Sequence, residues 1–106
     1  MRKDIKMVRG DTLAFGVEFE GLNQDLDEAY FTVRNRNTDA QVLQKAINDG
    51  IAKTETNKYR VRVDPDDTKS LSPGVYNYDF EITVGDDVYT PMLGTLELII
   101  DMTRAS

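Results

Sequence analysis

The chain has no cysteine, no histidine and no tryptophan in its 106 residues, and each absence removes a class of chemistry. Without cysteine there is no disulfide framework, so the fold must stand on packing in any redox compartment. Without histidine, the usual proton shuttle near neutral pH and the commonest zinc ligand are both missing. The two losses together exclude the ordinary transition-metal sites and nucleophile–base constellations. Long apolar runs are absent as well: the last one, Leu98-Ile99-Ile100, is typical in its shortness. A bilayer span needs about 20 such residues, so no membrane partner is expected. Met1-Arg2-Lys3-Asp4 is charged, but no apolar stretch follows it to make a signal peptide. Positive charge is the scarcer sign. Thirteen Lys and Arg against nineteen Asp and Glu give −6, a surface that repels phosphate backbones and excludes general nucleic-acid binding.

What remains is 40% apolar and 30% charged, the balance of one soluble globular domain over residues 1–106. Period-two alternation dominates, as in half-buried strands. Leu13, Phe15, Val17 and Phe19 share one face of a segment whose other face carries Thr12, Ala14, Gly16, Glu18 and Glu20. Ala29, Phe31 and Val33 repeat the pattern, then Tyr59, Val61 and Val63. The longest run is Tyr76, Tyr78, Phe80, Ile82 and Val84, and the last is Leu96, Leu98 and Ile100. A short first strand lies between Asp4 and Arg9. Residues 41–47 fit helix or strand spacing, and an irregular strand makes the simpler meander. Asp64-Pro65-Asp66-Asp67 is a helix start, and Ser72-Pro73-Gly74 is a stop about two turns later.

About seven short strands with one short helix at a strand corner indicate an all-β, immunoglobulin-like antiparallel β-sandwich. Tyr76 carries the choice of sandwich over barrel. It opens the long strand, where such folds place a tyrosine whose hydroxyl bonds back to the crossing loop. Residues 1–4 and 102–106 are expected to be flexible termini.

Candidate chemistry is thin. Arg9-Gly10-Asp11 lies between strands, where Gly-Asp makes an ordinary turn before Thr12. The acidic groups at Asp64, Asp66 and Asp67, at Asp86 and Asp87, and at Asn23 to Glu28 match no calcium-loop pattern. No catalytic, metal or cofactor-binding residue is assigned, and no cofactor is expected. The pairs Arg34/Arg36 and Arg60/Arg62 read as the wet faces of two strands, balanced by acids on neighbouring strands. Four residues stand out as interface candidates. Ala14 and Gly16 are small where strands favour large side chains, and Tyr30 and Ile99 are apolar on faces that should be wet. Such positions suit close approach by another element, either this chain's own N-terminal strand or a neighbouring subunit.

The order of signals carries a resemblance. Arg9-Gly10-Asp11-Thr12 leads into Phe15 and Phe19, then come Phe31-x-Val33-Arg34, Gly50-Ile51 and Asp67-Thr68. Leu71-x-x-Gly74-x-Tyr76-x-Tyr78-Asp79 and Gly94-x-Leu96 complete the series, before an end at Asp101-Met102-Thr103. This resembles the N-terminal domain of phage baseplate upper proteins and similar small tail-associated domains. The resemblance implies a non-enzymatic virion structural or assembly protein, tail or baseplate associated, made in the host cytoplasm. Its partners would be other virion proteins, and a homo-oligomer could form in the particle. The chain departs from the baseplate pattern by ending at Ser106, where those proteins continue into a receptor-binding or adaptor region. The alternative is a carbohydrate- or receptor-binding β-sandwich module, for which Tyr30, Tyr89 and Phe80 are the available aromatic material.

Overall fold

Alternating apolar positions become strands in a computed structural model that describes residues 2–20 and 24–100. The chain order is β1 (Ile5–Val8), β2 (Leu13–Glu18), β3 (Glu28–Asn35), β4 (Gln41–Ile47), β5 (Gly50–Glu55) and β6 (Lys58–Val63). Helix α1 (Pro65–Thr68), β7 (Gly74–Val84) and β8 (Asp87–Ile99) complete it. The protein is therefore all-β with one very short helix. Residues 41–47 are a strand. Eight strands replace the expected seven because β5 escapes the pattern: only Ile51 is buried, and Ala52 to Glu55 are all exposed. β8 also begins earlier than its alternation suggests, since Pro91 interrupts the run without breaking the strand. Pro91 falls where the β7–β8 register shifts between Phe80 and Ile82, and a proline is tolerated at such a bulge.

Neighbouring strands follow the order β1-β8-β7-β3-β4-β5-β6-β2. β1 runs parallel to β8, while β8, β7, β3 and β4 are antiparallel to one another in turn. β5, β6 and β2 form a second antiparallel set. Among the described residues the two sets are paired in a ladder only at Ala46↔Gly50 and Ile47↔Ile51. There Asn48 at φ 68° and Gly50 at φ 96° turn the chain sharply, a conformation glycine adopts at no steric cost. At this seam the order folds over into two layers. Phe15 of β2 meets Phe31 of β3 edge-on at 5.6 Å, and Phe19 lies 6.2 Å from Phe80 of β7, although those strands are far apart in the order. Phe31, Phe80, Ile51, Val61, Val63, Leu96 and Leu98 are fully enclosed between the layers.

The helix marks the crossing between layers. Asp67 accepts the Asp64 N–H at 2.7 Å, closing the first turn. The same carboxylate oxygen holds the Lys45 ammonium at 2.7 Å, tying β4 to the crossing. Thr68 is wholly buried and its hydroxyl accepts the Gly10 N–H at 2.9 Å. Past the helix, Tyr76 opens β7, and its hydroxyl donates to the Ser72 carbonyl at 2.7 Å. That is a tyrosine corner.

Arg2, Lys3 and Asp4 lie along β8. The Lys3 N–H donates to Leu93 at 2.9 Å, and Asp4 accepts the Thr95 N–H at 3.1 Å. That Thr95 bond, helped by Arg2, holds the Asp4 carboxyl below the usual carboxylate range. The Tyr78 hydroxyl donates to the Lys3 carbonyl across Gly94, where any side chain would collide with that carbonyl. Missing bulk at Gly94 thus creates the seat, and the segment fills it. Residues 102–106 lie outside the described residues.

Candidate docking surface

β2 is the last strand of its layer, and among the described residues nothing pairs with its outer edge. Its alternation continues across β6, with Ala14 opposite Arg62, Gly16 opposite Arg60 and Glu18 opposite Lys58. Leu13, Phe15 and Val17 turn inward but are only half-buried, although the same spacing points to full core positions. The reason is topological: an inward residue on an edge strand has a neighbour on one side only.

The outward face of β2 is low. Ala14, Gly16 and Glu18 are exposed and, with Thr54, Lys58 and Arg60, border a shallow depression of about 530 Å³. A Cβ at Gly16 would meet nothing nearer than the Tyr59 carbonyl oxygen at 3.9 Å, and Gly16 is not among the residues with positive φ. The isolated domain therefore supplies neither a steric nor a conformational reason for glycine here. Where β2 ends, a groove of about 790 Å³ opens between Phe19 and the start of β8. Ile82, Val84, Tyr89 and Pro91 give it apolar walls, and Glu18, Glu20 and Asp87 bring carboxylates to its rim. The edge and the groove form one flank that no described residue covers.

The four interface candidates do not converge. Ala14 and Gly16 lie together on the outside of the β5-β6-β2 layer. Tyr30 and Ile99 lie on the outside of the opposite layer, and the strand register sets them at opposite ends of it. Tyr30 is half-buried between Ala46 and Glu81, while Ile99 is 40% exposed beside Val8. Parity along each strand is correctly legible from sequence, but which layer a strand joins is not.

Other sequence candidates find structural places. Gly10, at φ 82°, is buried against Thr68, and the Arg9 guanidinium donates to the Leu71 carbonyl at 3.3 Å, so Arg9-Gly10-Asp11 packs onto the helix crossing. Arg62 pairs with Asp64 of its own chain segment at 2.6 Å, where acids on neighbouring strands were the expected partners. Lys53 meets Asp25 at 2.7 Å, and this bond raises its pKa above the ordinary lysine value. Phe80 is wholly buried and offers no platform to a ligand, whereas Tyr89 is 54% exposed at the groove. Among the described residues no three acids gather to hold a metal ion, and no helix is long and apolar enough to cross a membrane. Sequence reasoning misses the groove, because its walls come from β2, β7 and β8, which only the fold brings together.

Comparison with known proteins places the fold. No family model matches the chain, and no curated protein sequence does. Solved structures do match, immunoglobulin-like domains among them. The immunoglobulin-like domain of mouse leukocyte-associated immunoglobulin-like receptor 1, solved as a strand-swapped dimer, aligns with a TM-score of 0.54 at 8% identity. The alignment covers 92% of this chain and 88% of that one. The extracellular domain of the voltage-gated sodium channel β4 subunit, described as a parallel homodimer, gives 0.50 at 13% identity, covering 95% and 93%. A Bacteroides vulgatus protein assigned as a glycoside hydrolase gives 0.53 at 15% identity, but the 94% of this chain that aligns spans only 17% of it. Similarity at these identities defines an immunoglobulin-like β-sandwich and nothing finer.

Proposed function

We propose that this domain is a non-enzymatic assembly subunit that docks onto other proteins through the uncovered flank formed by β2 and the adjoining groove. The observation that carries the reading is the edge itself. From Leu13 to Val17 it bears no charge and no proline, and its inward side chains are half-covered. Solitary proteins guard such edges with lysine, proline or bulges, because an open ladder recruits another strand. An unguarded edge beside an apolar groove is a surface prepared for a partner.

The setting we propose is a phage virion, tail or baseplate associated, with other virion proteins as partners. Its support is the sequence resemblance carried by Gly10-Asp11-Thr12 and by Gly74-x-Tyr76-x-Tyr78-Asp79. The −6 charge is in keeping with protein partners in preference to nucleic acid. The test places lysine at Gly16 and, separately, at Ile99, and follows folding and incorporation into particles. Gly16→Lys should fold and fail to incorporate, while Ile99→Lys should do both. Normal incorporation of Gly16→Lys moves docking off this flank, and absence of the wild-type chain from particles removes the virion setting.

One observation favours the alternative, a carbohydrate- or receptor-binding module. Tyr89 is exposed beside Glu18, Glu20 and Asp87, an aromatic face with hydrogen-bond acceptors around it. Glycan-array binding that disappears in Tyr89→Ala would select that reading.

A further inference from the structure

We infer that the occupant of the β2 edge is a second copy of this chain, paired antiparallel through β2 about a two-fold axis at Gly16. The inference rests on the docking reading above and specifies its partner. Side chains facing each other across an antiparallel pair must share a face, so self-pairing has to centre on a residue, not between two. Centred on Gly16, the pairing sets Phe15 against Val17 of the second copy and Leu13 against Phe19 of the second copy. Each half-buried apolar side chain of β2 then gains an apolar neighbour, and the eight strands of one copy become sixteen in continuous order.

The outer face is complementary in charge in the same register. Glu18 of the second copy falls opposite Ala14, whose neighbour on the other side is Arg62, with Arg60 next along β6. Ala14 and Gly16 carry almost no side chain, so Arg60 can reach over them toward the incoming carboxylate, while Arg62 stays on Asp64. Like charges do not meet, since Glu18 opposes Ala14 and Gly16 opposes itself. Glycine at position 16 also acquires a reason that the single copy lacks. It lies on the axis, where two backbones and their side chains approach most closely. The contact spans six strand residues per copy. It falls short of the roughly 1,200 Å² of a standard interface, so the dimer belongs to the weak class and fills at high local concentration, as in a particle.

The absence of cysteine makes the test clean. In this register the two Gly16 Cα atoms stand about 4.5 or 5.5 Å apart, inside the roughly 4.4–6.8 Å range that a disulfide spans. Two Ala14 residues are offset by four strand positions, about 13 Å, and cannot be bridged. Gly16→Cys adds a side chain to open space and should fold. Under mild oxidation of concentrated protein it should give roughly tenfold more disulfide dimer than Ala14→Cys or Glu18→Cys alone. A mixture of Ala14→Cys and Glu18→Cys should form the mixed dimer. Equal cross-linking at all three positions would mean random collision and overturn the pairing, as would no cross-linking at any. If the pairing fails while Gly16→Lys still blocks incorporation, the flank keeps its docking role with a different partner. If Gly16→Lys also incorporates normally, both readings fall.

Discussion

The two ends of the strand order are built oppositely. At one end β1 is four residues long, carries Lys6 in its middle and has Lys3 and Arg9 on either side. Arg2 to Asp4 continue beyond it and latch onto β8 through Leu93 and Thr95 and onto β7 through Tyr78. At the other end β2 is longer, uncharged from Leu13 to Val17 and covered by nothing described. A lysine, a short strand and a latched segment all discourage further pairing, and β2 has none of them. One end is therefore finished within the chain, while at the other the described residues leave the ladder open.

The comparison can be broken from the core outward. Phe80 is wholly enclosed, and Phe80→Ala should cost about 3–5 kcal/mol in denaturant unfolding. Phe15→Ala should cost distinctly less in the isolated domain, because Phe15 is already half-exposed, and should show its larger effect on assembly. Equal costs would mean that β2 is as well covered as the interior. At the finished end, Gly94→Ala puts a methyl group into the Lys3 carbonyl and should cost about 1–3 kcal/mol. Limited proteolysis should then cut near Arg2 and Lys3. An unchanged digest would show that the latch does not depend on the glycine.

Tyr78 gives the latch a pH signature. Burial, with the Asp4 charge nearby, raises the phenol's pKa above its ordinary value. The folded state thus holds this proton more tightly than the unfolded chain does. The stabilisation is complete below the unfolded value of about 10 and is lost as pH rises through the folded value. Melting temperature should fall on the alkaline side, and Tyr78→Phe should flatten that fall. The smallest effect is expected at the open end: Gly16→Lys should move stability by no more than about 0.5 kcal/mol, since the position faces solvent.

Strand parity, the tyrosine corner and the helix start are legible because each is encoded within a few residues. Leu13 to Phe19 alternates, Tyr76 follows Leu71-x-x-Gly74, and Asp64-Pro65 opens a turn. β5 is illegible because an exposed strand has no apolar face to display. Lys45 misleads for the converse reason: its charge suggests solvent, yet it is buried with its ammonium on Asp67, a partner twenty-two positions further along. The candidate site is legible by halves. Ala14 and Gly16 are visible as misplaced small residues, but their separation from Tyr30 and Ile99 depends on the seam at Asn48 to Gly50. Non-local closure of that kind leaves no periodic mark in a sequence.

Amide hydrogen exchange along β2, compared between dilute protein and assembled particles, tests the account most directly. Half of its backbone groups point away from β6 and should exchange freely in the dilute domain. On assembly the outward-pointing amides between Leu13 and Glu18 should become protected while those of β1 stay as they were. Protection that arises instead around Tyr30 or Ile99, with β2 still exchanging freely, would contradict the account.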